Sequence, residues 1–256
     1  MDAHTDTLVM TQSNGNSHHV RSVFENTPRY LKSRQVDIRF RIDAVEHYAS
    51  RCKRQSVLDI GCGDGSISLQ LLTQDARFTL MDISSNMVAR AKENIPEGLS
   101  GCVTLRNENF FSASFENQKF DLVVAVGVLA HVDSPSDFLL KIKGLLLPGG
   151  SVILEFTDAF HPVGRIGRFW SWFKEIIAPA KYSTNKLSRS NVEDLFELHQ
   201  LKLVSTFRYS RVPLPGFNLL VSHATEYIWM KRFFGDCERN CNAWLGNEFI
   251  YLLTAE

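Results

Sequence analysis

The stretch Val57-Leu58-Asp59-Ile60-Gly61-Cys62-Gly63-Asp64-Gly65 runs a short apolar strand into a loop with glycine at every second position. A second apolar run, Phe78-Thr79-Leu80-Met81, ends on Asp82. Gly61, Gly63 and Gly65 carry no Cβ, so a ligand can lie directly on the main chain. A carboxylate closing the following strand suits a ribose, because it accepts hydrogen bonds from two neighbouring hydroxyls. Together the two features describe a site for a nucleotide-type ligand.

Charge decides which nucleotide. A dinucleotide loop, GxGxxG, needs its third glycine where Ser66 stands, and bare amide donors for a pyrophosphate at a helix start. Here the spacing is GxGxG, and the loop carries Asp59 and Asp64. Two carboxylates repel a diphosphate but favour a sulfonium and an ammonium. The chemistry points to S-adenosylmethionine.

The next hundred residues continue in a matching order. After Asp82, Ser84 or Ser85 can cap a helix reaching Lys92. Phe120 to Val126 is a continuous apolar run of the kind buried in parallel sheets, and Gly127-Val128-Leu129-Ala130-His131 follows it. Leu145 to Gly150 ends a helix and turns into a strand from Ser151 to Phe156. With these motifs in sequence, residues 55 to 160 resemble a class I methyltransferase dependent on S-adenosylmethionine, of the branch acting on small molecules.

That resemblance implies roles. Asp59, Gly61 and Gly63 line the methionine part, with Cys62 packed in the same loop, and Asp82 binds the ribose. Ile83 and Met87 flank the adenine. The family's usual acid toward the adenine amino group falls on Asn109, whose carbonyl oxygen can accept the same hydrogen bond, and Phe110 beside it covers the ring. Gly127 and Val128 sit under the reactive methyl group. The family often folds an N-terminal helix over the cosubstrate, which would bring Tyr30, with Arg34 or Arg39, to the methionine carboxylate. The same arginines read more readily as a solvated face.

The 256 residues hold 28 basic and 28 acidic side chains, so no net charge attracts nucleic acid or an anionic membrane. No apolar stretch reaches the ~18 to 20 residues needed to span a bilayer. The N terminus lacks a signal pattern, so a cytoplasmic protein is expected. Five cysteines suit reduced thiols. Cys237 and Cys241 lie four apart, but only His223 is near in sequence and no second pair completes a ligand set, so packing is expected rather than a metal.

The expected fold is α/β: a Rossmann-like sheet of seven mostly parallel strands with the last strand antiparallel, helices on both faces, an N-terminal helical lid and aromatic cap insertions. Residues 1 to 19 read as a flexible tail, 20 to 50 as the lid and 51 to 160 as the cosubstrate-binding core. Cap insertions follow at 161 to 187 and 211 to 247, with core at 188 to 210 and a closing strand at 248 to 256. In the lid Val36, Phe40 and Ala44 share a face, with Arg34, Arg39, Arg41 and Glu46 largely elsewhere. The first cap gathers Phe160, His161, Phe169, Trp170, Trp172, Phe173 and Tyr182. These aromatics either line an acceptor pocket or form the cap's own small core.

Methyl transfer needs mainly in-line positioning. Where the nucleophile must lose a proton, His131 is the leading base, against a structural role at the same place; Glu155, Asp158 and His161 are further candidates. The expected reaction is O- or N-methylation of a small-molecule acceptor by a monomer or homodimer, without nucleic-acid or membrane partners. Two rivals stand beside it. One uses the sulfonium without methyl transfer, by cyclisation or attack on the aminocarboxypropyl carbon; the other is a non-catalytic binding subunit.

Overall fold

A computed structural model describes residues 35–165, 186–211 and 221–255. The chain enters as helix α1 (Gln35–Ala49). Strand β1 (Ser56–Ile60), a 3-10 turn (Ser68–Leu71), β2 (Arg77–Asp82), α2 (Ser85–Asn94), β3 (Val103–Asn107) and β4 (Phe120–Ala125) follow. Then come α3 (Pro135–Leu145), β5 (Leu146–Thr157), α4 (Arg189–Leu198), β6 (Leu201–Tyr209), α5 (His223–Phe234) and β7 (Glu248–Ala255). The seven strands form one sheet in the order β3-β2-β1-β4-β5-β7-β6. β7 inserts between β5 and β6 and runs antiparallel to both, while β1 to β5 pair in parallel.

The apolar runs are continuous because both faces of the sheet are covered. Leu58, Val123, Val152 and Leu154 pack on one side against Phe138, Leu139 and Ile142 of α3 and Val192 and Phe196 of α4. Their neighbours Val57, Leu122, Val124 and Ile153 face the other side, against Phe40 and Ala44 of α1 and Met230 and Phe234 of α5. This alternation within an unbroken hydrophobic run is the two-residue period of a strand.

Side-chain caps set the helix starts. The hydroxyls of Ser84, Ser134, Ser188 and Ser222 each accept from a backbone amide three residues on, opening α2 to α5, and Pro135 takes the first turn of α3. For α2 the capping residue is thus Ser84 rather than Ser85.

α1 is not a detachable lid. Val36, Phe40, Ala44, Val45, Tyr48 and Ala49 are buried in the core, and the Phe40 ring stacks on Tyr209 at 4.7 Å and on Phe207 at 6.0 Å. With the Tyr227 ring at 5.2 Å, Phe40 sits in a four-ring cluster that builds this helix into the core. The Tyr227 hydroxyl of α5 donates to Asp43 at 2.5 Å and Lys231 pairs with the same carboxylate, fixing α1 to α5 as well. Residues 20 to 34 lie outside the described residues, as do Phe169, Trp170, Trp172, Phe173 and Tyr182 of the first cap.

Phe40→Ala should lower the unfolding free energy by about 3–5 kcal/mol, the usual cost of emptying a buried aromatic site. Urea denaturation followed by circular dichroism measures it, and a loss near zero would mean that α1 is not part of the cooperative core.

Candidate active site

The carboxyl ends of β1, β2 and β4 open into one cavity, closed on one side by α1 and on another by the loop after β3. Its closure depends on Gly61, which has φ +71°. A Cβ there would stand 2.5 Å from Val128 Cγ2, so glycine alone lets the β1 loop settle against the β4 loop. The amides of Gly61 and Cys62 both donate to Met81 O, at 2.8 and 3.0 Å, tying the same loop to β2.

Asp82 ends β2 with both carboxylate oxygens oriented. Gly63 N–H donates to Oδ2 at 3.0 Å and Ser84 N–H to Oδ1 at 2.8 Å. Burial raises the carboxyl pKa, while these amides pull it down. Each oxygen keeps a lone pair for a further donor.

Asp59 does not reach the cavity wall. It is buried next to the loop, where Ser68 Oγ donates to its Oδ2 at 2.5 Å, and burial pushes its carboxyl up to about 7, with a smaller push from Asp82. Cys62 does line the wall, yet burial, then Asp59 and Asp82, raise its thiol well above the ordinary range, which removes thiolate reactivity.

Ile83, Met87, Asn109 and Phe110 line the cavity together. The Asn109 carbonyl oxygen accepts from Phe111 N–H at 2.9 Å, so its first task is to shape the loop. Lys141 of α3 holds that loop from behind, donating to the carbonyls of Phe110 (2.7 Å), Phe111 (2.9 Å) and Ala113 (2.9 Å). Its ammonium lies 5.0 Å from the centre of the Phe110 ring. Glu108, paired with Arg106, and Phe138, edge-on to Phe110, complete this wall.

Gly127, Val128 and His131 form the β4 side. His131 ends a 3-10 turn (Leu129–His131) that its amide closes on Val128 O at 2.8 Å.

The arginine from α1 is not Arg39. Arg39 is exposed and lies over the Tyr227 ring at 5.4 Å. Arg41 lines the cavity instead, together with Ile38. Two residues along a helix rotate a side chain by about 200°, so the faces of Arg39 and Arg41 are opposed, and Arg41 shares its face with Ile38 three residues earlier. The Arg41 guanidinium is nearly buried and paired with Glu155: Nε donates to Oε1 at 2.8 Å, and Nη2 stands 2.8 Å from Oε2 as an ion-pair contact. Tyr209 O–H donates to the same carboxylate at 3.3 Å. Tyr30 and Arg34 lie outside the described residues.

Glu155 is therefore committed to holding Arg41 and is removed as a base. Asp158 caps a turn by accepting from Phe160 N–H at 2.8 Å. His161 accepts from Val163 N–H on Nδ1, so Nε2 carries the hydrogen that goes to Trp244 O at 3.0 Å. Neither lines the cavity, which leaves His131 as its histidine.

The donor set fits S-adenosylmethionine better than a dinucleotide. After the glycine loop stands only the four-residue 3-10 turn, so no helix start is offered to a diphosphate. Among the described lining residues Arg41 is the sole lysine or arginine, and Glu155 already balances it. Asp64 and Asp82 line the same cavity.

Comparison with known proteins agrees. Residues 58–154 match the family described as Methyltransferase domain. A ubiquinone biosynthesis O-methyltransferase of Pasteurella multocida is 28% identical over 160 residues, 58% of this chain and 62% of that one. A tRNA U34 carboxymethyltransferase of Vibrio vulnificus is 32% identical over 117 residues, 44% of this chain and 35% of that one. The chain thus spans less than two thirds of either relative. A magnesium protoporphyrin IX methyltransferase from Synechocystis, crystallised with bound S-adenosylhomocysteine, shares the fold: TM-score 0.61 at 17% identity over 94% of this chain and 100% of that one. Residues 58–154 thus carry a methyltransferase domain, on the fold shared with S-adenosylmethionine-dependent methyltransferases.

Two outcomes follow. Asp59 is protonated in the fold up to about pH 7 and ionised in the unfolded chain above about pH 4, so its stabilising contribution is full below pH 4 and is lost as pH rises to 7. Asp59→Asn should remove about one proton from the slope of stability against pH across that window, roughly 1.4 kcal/mol per pH unit, measured by urea denaturation at a series of pH values. Lys141→Met should weaken S-adenosylhomocysteine binding about tenfold in calorimetry by releasing the Asn109–Phe111 loop, the scale of losing charged hydrogen bonds; unchanged affinity would show that the loop holds its shape unaided.

Proposed function

We propose that the protein transfers a methyl group from S-adenosylmethionine to an oxygen or nitrogen atom of a small-molecule acceptor. The observation that carries this reading is a single cavity joining the paired-amide carboxylate of Asp82 to the open β4 edge at Gly127 and His131. Bound S-adenosylmethionine supplies a methyl group already activated by its sulfonium charge. The chain's residues then bind, orient and exclude water. Asp82 would take the ribose hydroxyls, Ile83, Met87 and Phe110 the faces of the adenine, and Asn109 its edge.

Arg41, anchored by Glu155, would meet the methionine carboxylate. Asp64, on the cavity wall, favours the positive end of the same ligand by charge. Gly127 leaves the β4 edge room for the Arg41 guanidinium, 3.5 Å from where a Cβ would stand, and His131 on the same cavity edge is placed to accept a proton where the acceptor must lose one. Balanced net charge favours a small acceptor over a polyanion such as tRNA.

Arg41→Met should weaken S-adenosylhomocysteine binding at least tenfold, whereas Arg39→Met should leave it within twofold, both by calorimetry. Product analysis tests the reaction itself: S-adenosylhomocysteine formed only when an acceptor is supplied supports methyl transfer. Methylthioadenosine released from the cosubstrate alone would overturn it.

A further inference from the structure

A second cavity, of about 410 Å³, opens on the same edge of the sheet as the first. Its walls come from segments that meet only there. Val163 follows β5, Ser210 and Arg211 follow β6, Leu245 precedes antiparallel β7, and Trp229, Met230, Phe233 and Phe234 project from α5. Among the described lining residues all but Ser210 and Arg211 are apolar. The Ser210 hydroxyl is already bonded to Asn247, and Arg211 Nη1 stands 3.6 Å from Asp37 Oδ2.

That last contact links the two cavities. Asp37 lies one turn before Arg41 on α1, so Arg211 at the edge of the second cavity and Arg41 in the wall of the first meet the same stretch of helix. Strands in a sheet stand about 4.7–4.9 Å apart, so going from the end of β4 to those of β7 and β6 crosses two to three spacings, about 10–14 Å. An apolar groove of this size holds a hydrophobic group better than water. Open α/β sheets take their ligands along this edge.

We infer that the methyl acceptor is an elongated amphiphile. Its apolar body occupies the cavity of Trp229, Met230, Phe233 and Leu245, and its nucleophilic head lies about 10–14 Å away at Gly127 and His131. The head's position rests on the methyl-transfer reading; the apolar site does not.

The test titrates the full chain, saturated with S-adenosylhomocysteine, with 4-alkylphenols from methyl to octyl in a calorimeter. Affinity should rise about fourfold for each added methylene, the increment expected for burying CH₂. Trp229→Ala and Phe233→Ala, both at positions roughly half exposed and so removable without emptying the core, should each weaken octylphenol binding at least tenfold. S-adenosylhomocysteine affinity in the two variants should stay within twofold. Affinity independent of chain length, or octylphenol binding unchanged in both variants, would overturn the inference. Should S-adenosylhomocysteine itself fail to bind, the methyl-transfer reading falls, and the same series on the ligand-free chain still decides whether the apolar site exists.

Discussion

The site depends on one steric constraint, the approach of the β1 loop to the β4 loop. Gly61 and Val128 come so close that a single methyl group at Gly61 would force them apart. With the loops together, Cys62 and Gly63 can reach Met81 and Asp82, and Asp82 gains the amides that aim its carboxylate. Open them by an ångström and the cavity loses its floor, the amides that aim Asp82 and its edge at Gly127 at once. Packed interiors leave no slack to absorb such a change.

Electrostatics then selects the ligand. The glycine loop is ringed by Asp59, Asp64 and Asp82, and the cation facing it, Arg41, is matched by Glu155. A binding surface built this way discriminates by repulsion as much as by attraction, rejecting polyphosphates that the same backbone shape would accommodate. The raised proton affinity of Asp59 follows from that design: an acid kept out of water becomes easy to ionise only when a positive ligand arrives.

Much of this was legible in the chain. The glycine spacing and Asp82 fixed the ligand class because few backbones tolerate that pattern, and the unbroken apolar runs gave the sheet because only doubly covered strands read so. The Arg41 role was not legible. Arg34, Arg39 and Arg41 carry the same charge within eight residues, and only the helix phase relative to Phe40 and the distant partner Glu155 separates them. Glu155 was equally opaque, since nothing local distinguishes a strand-end base from an arginine holder 114 residues away. Phe138 and Lys141 reach the site by packing behind a loop, which leaves no motif. The strength of α1 as a core element was masked by its arginines, whose spacing looks like a solvated face.

The four-residue turn after the glycine loop has a kinetic meaning. A full helix in that place would hold the loop through a ladder of mutually reinforcing bonds, whereas the Ser68–Leu71 turn relies on single ties such as Leu69 N–H to Gly65 O and Ser68 to Asp59, with Ser68, Leu69 and Leu71 buried beneath. A turn of four residues opens locally at less cost than a helix of fifteen such as α1. Ingress of a ligand as large as an adenosyl amino acid would then come about by brief fraying of residues 63 to 71, while α1, nailed to the sheet by Phe40 and Arg41, stays put.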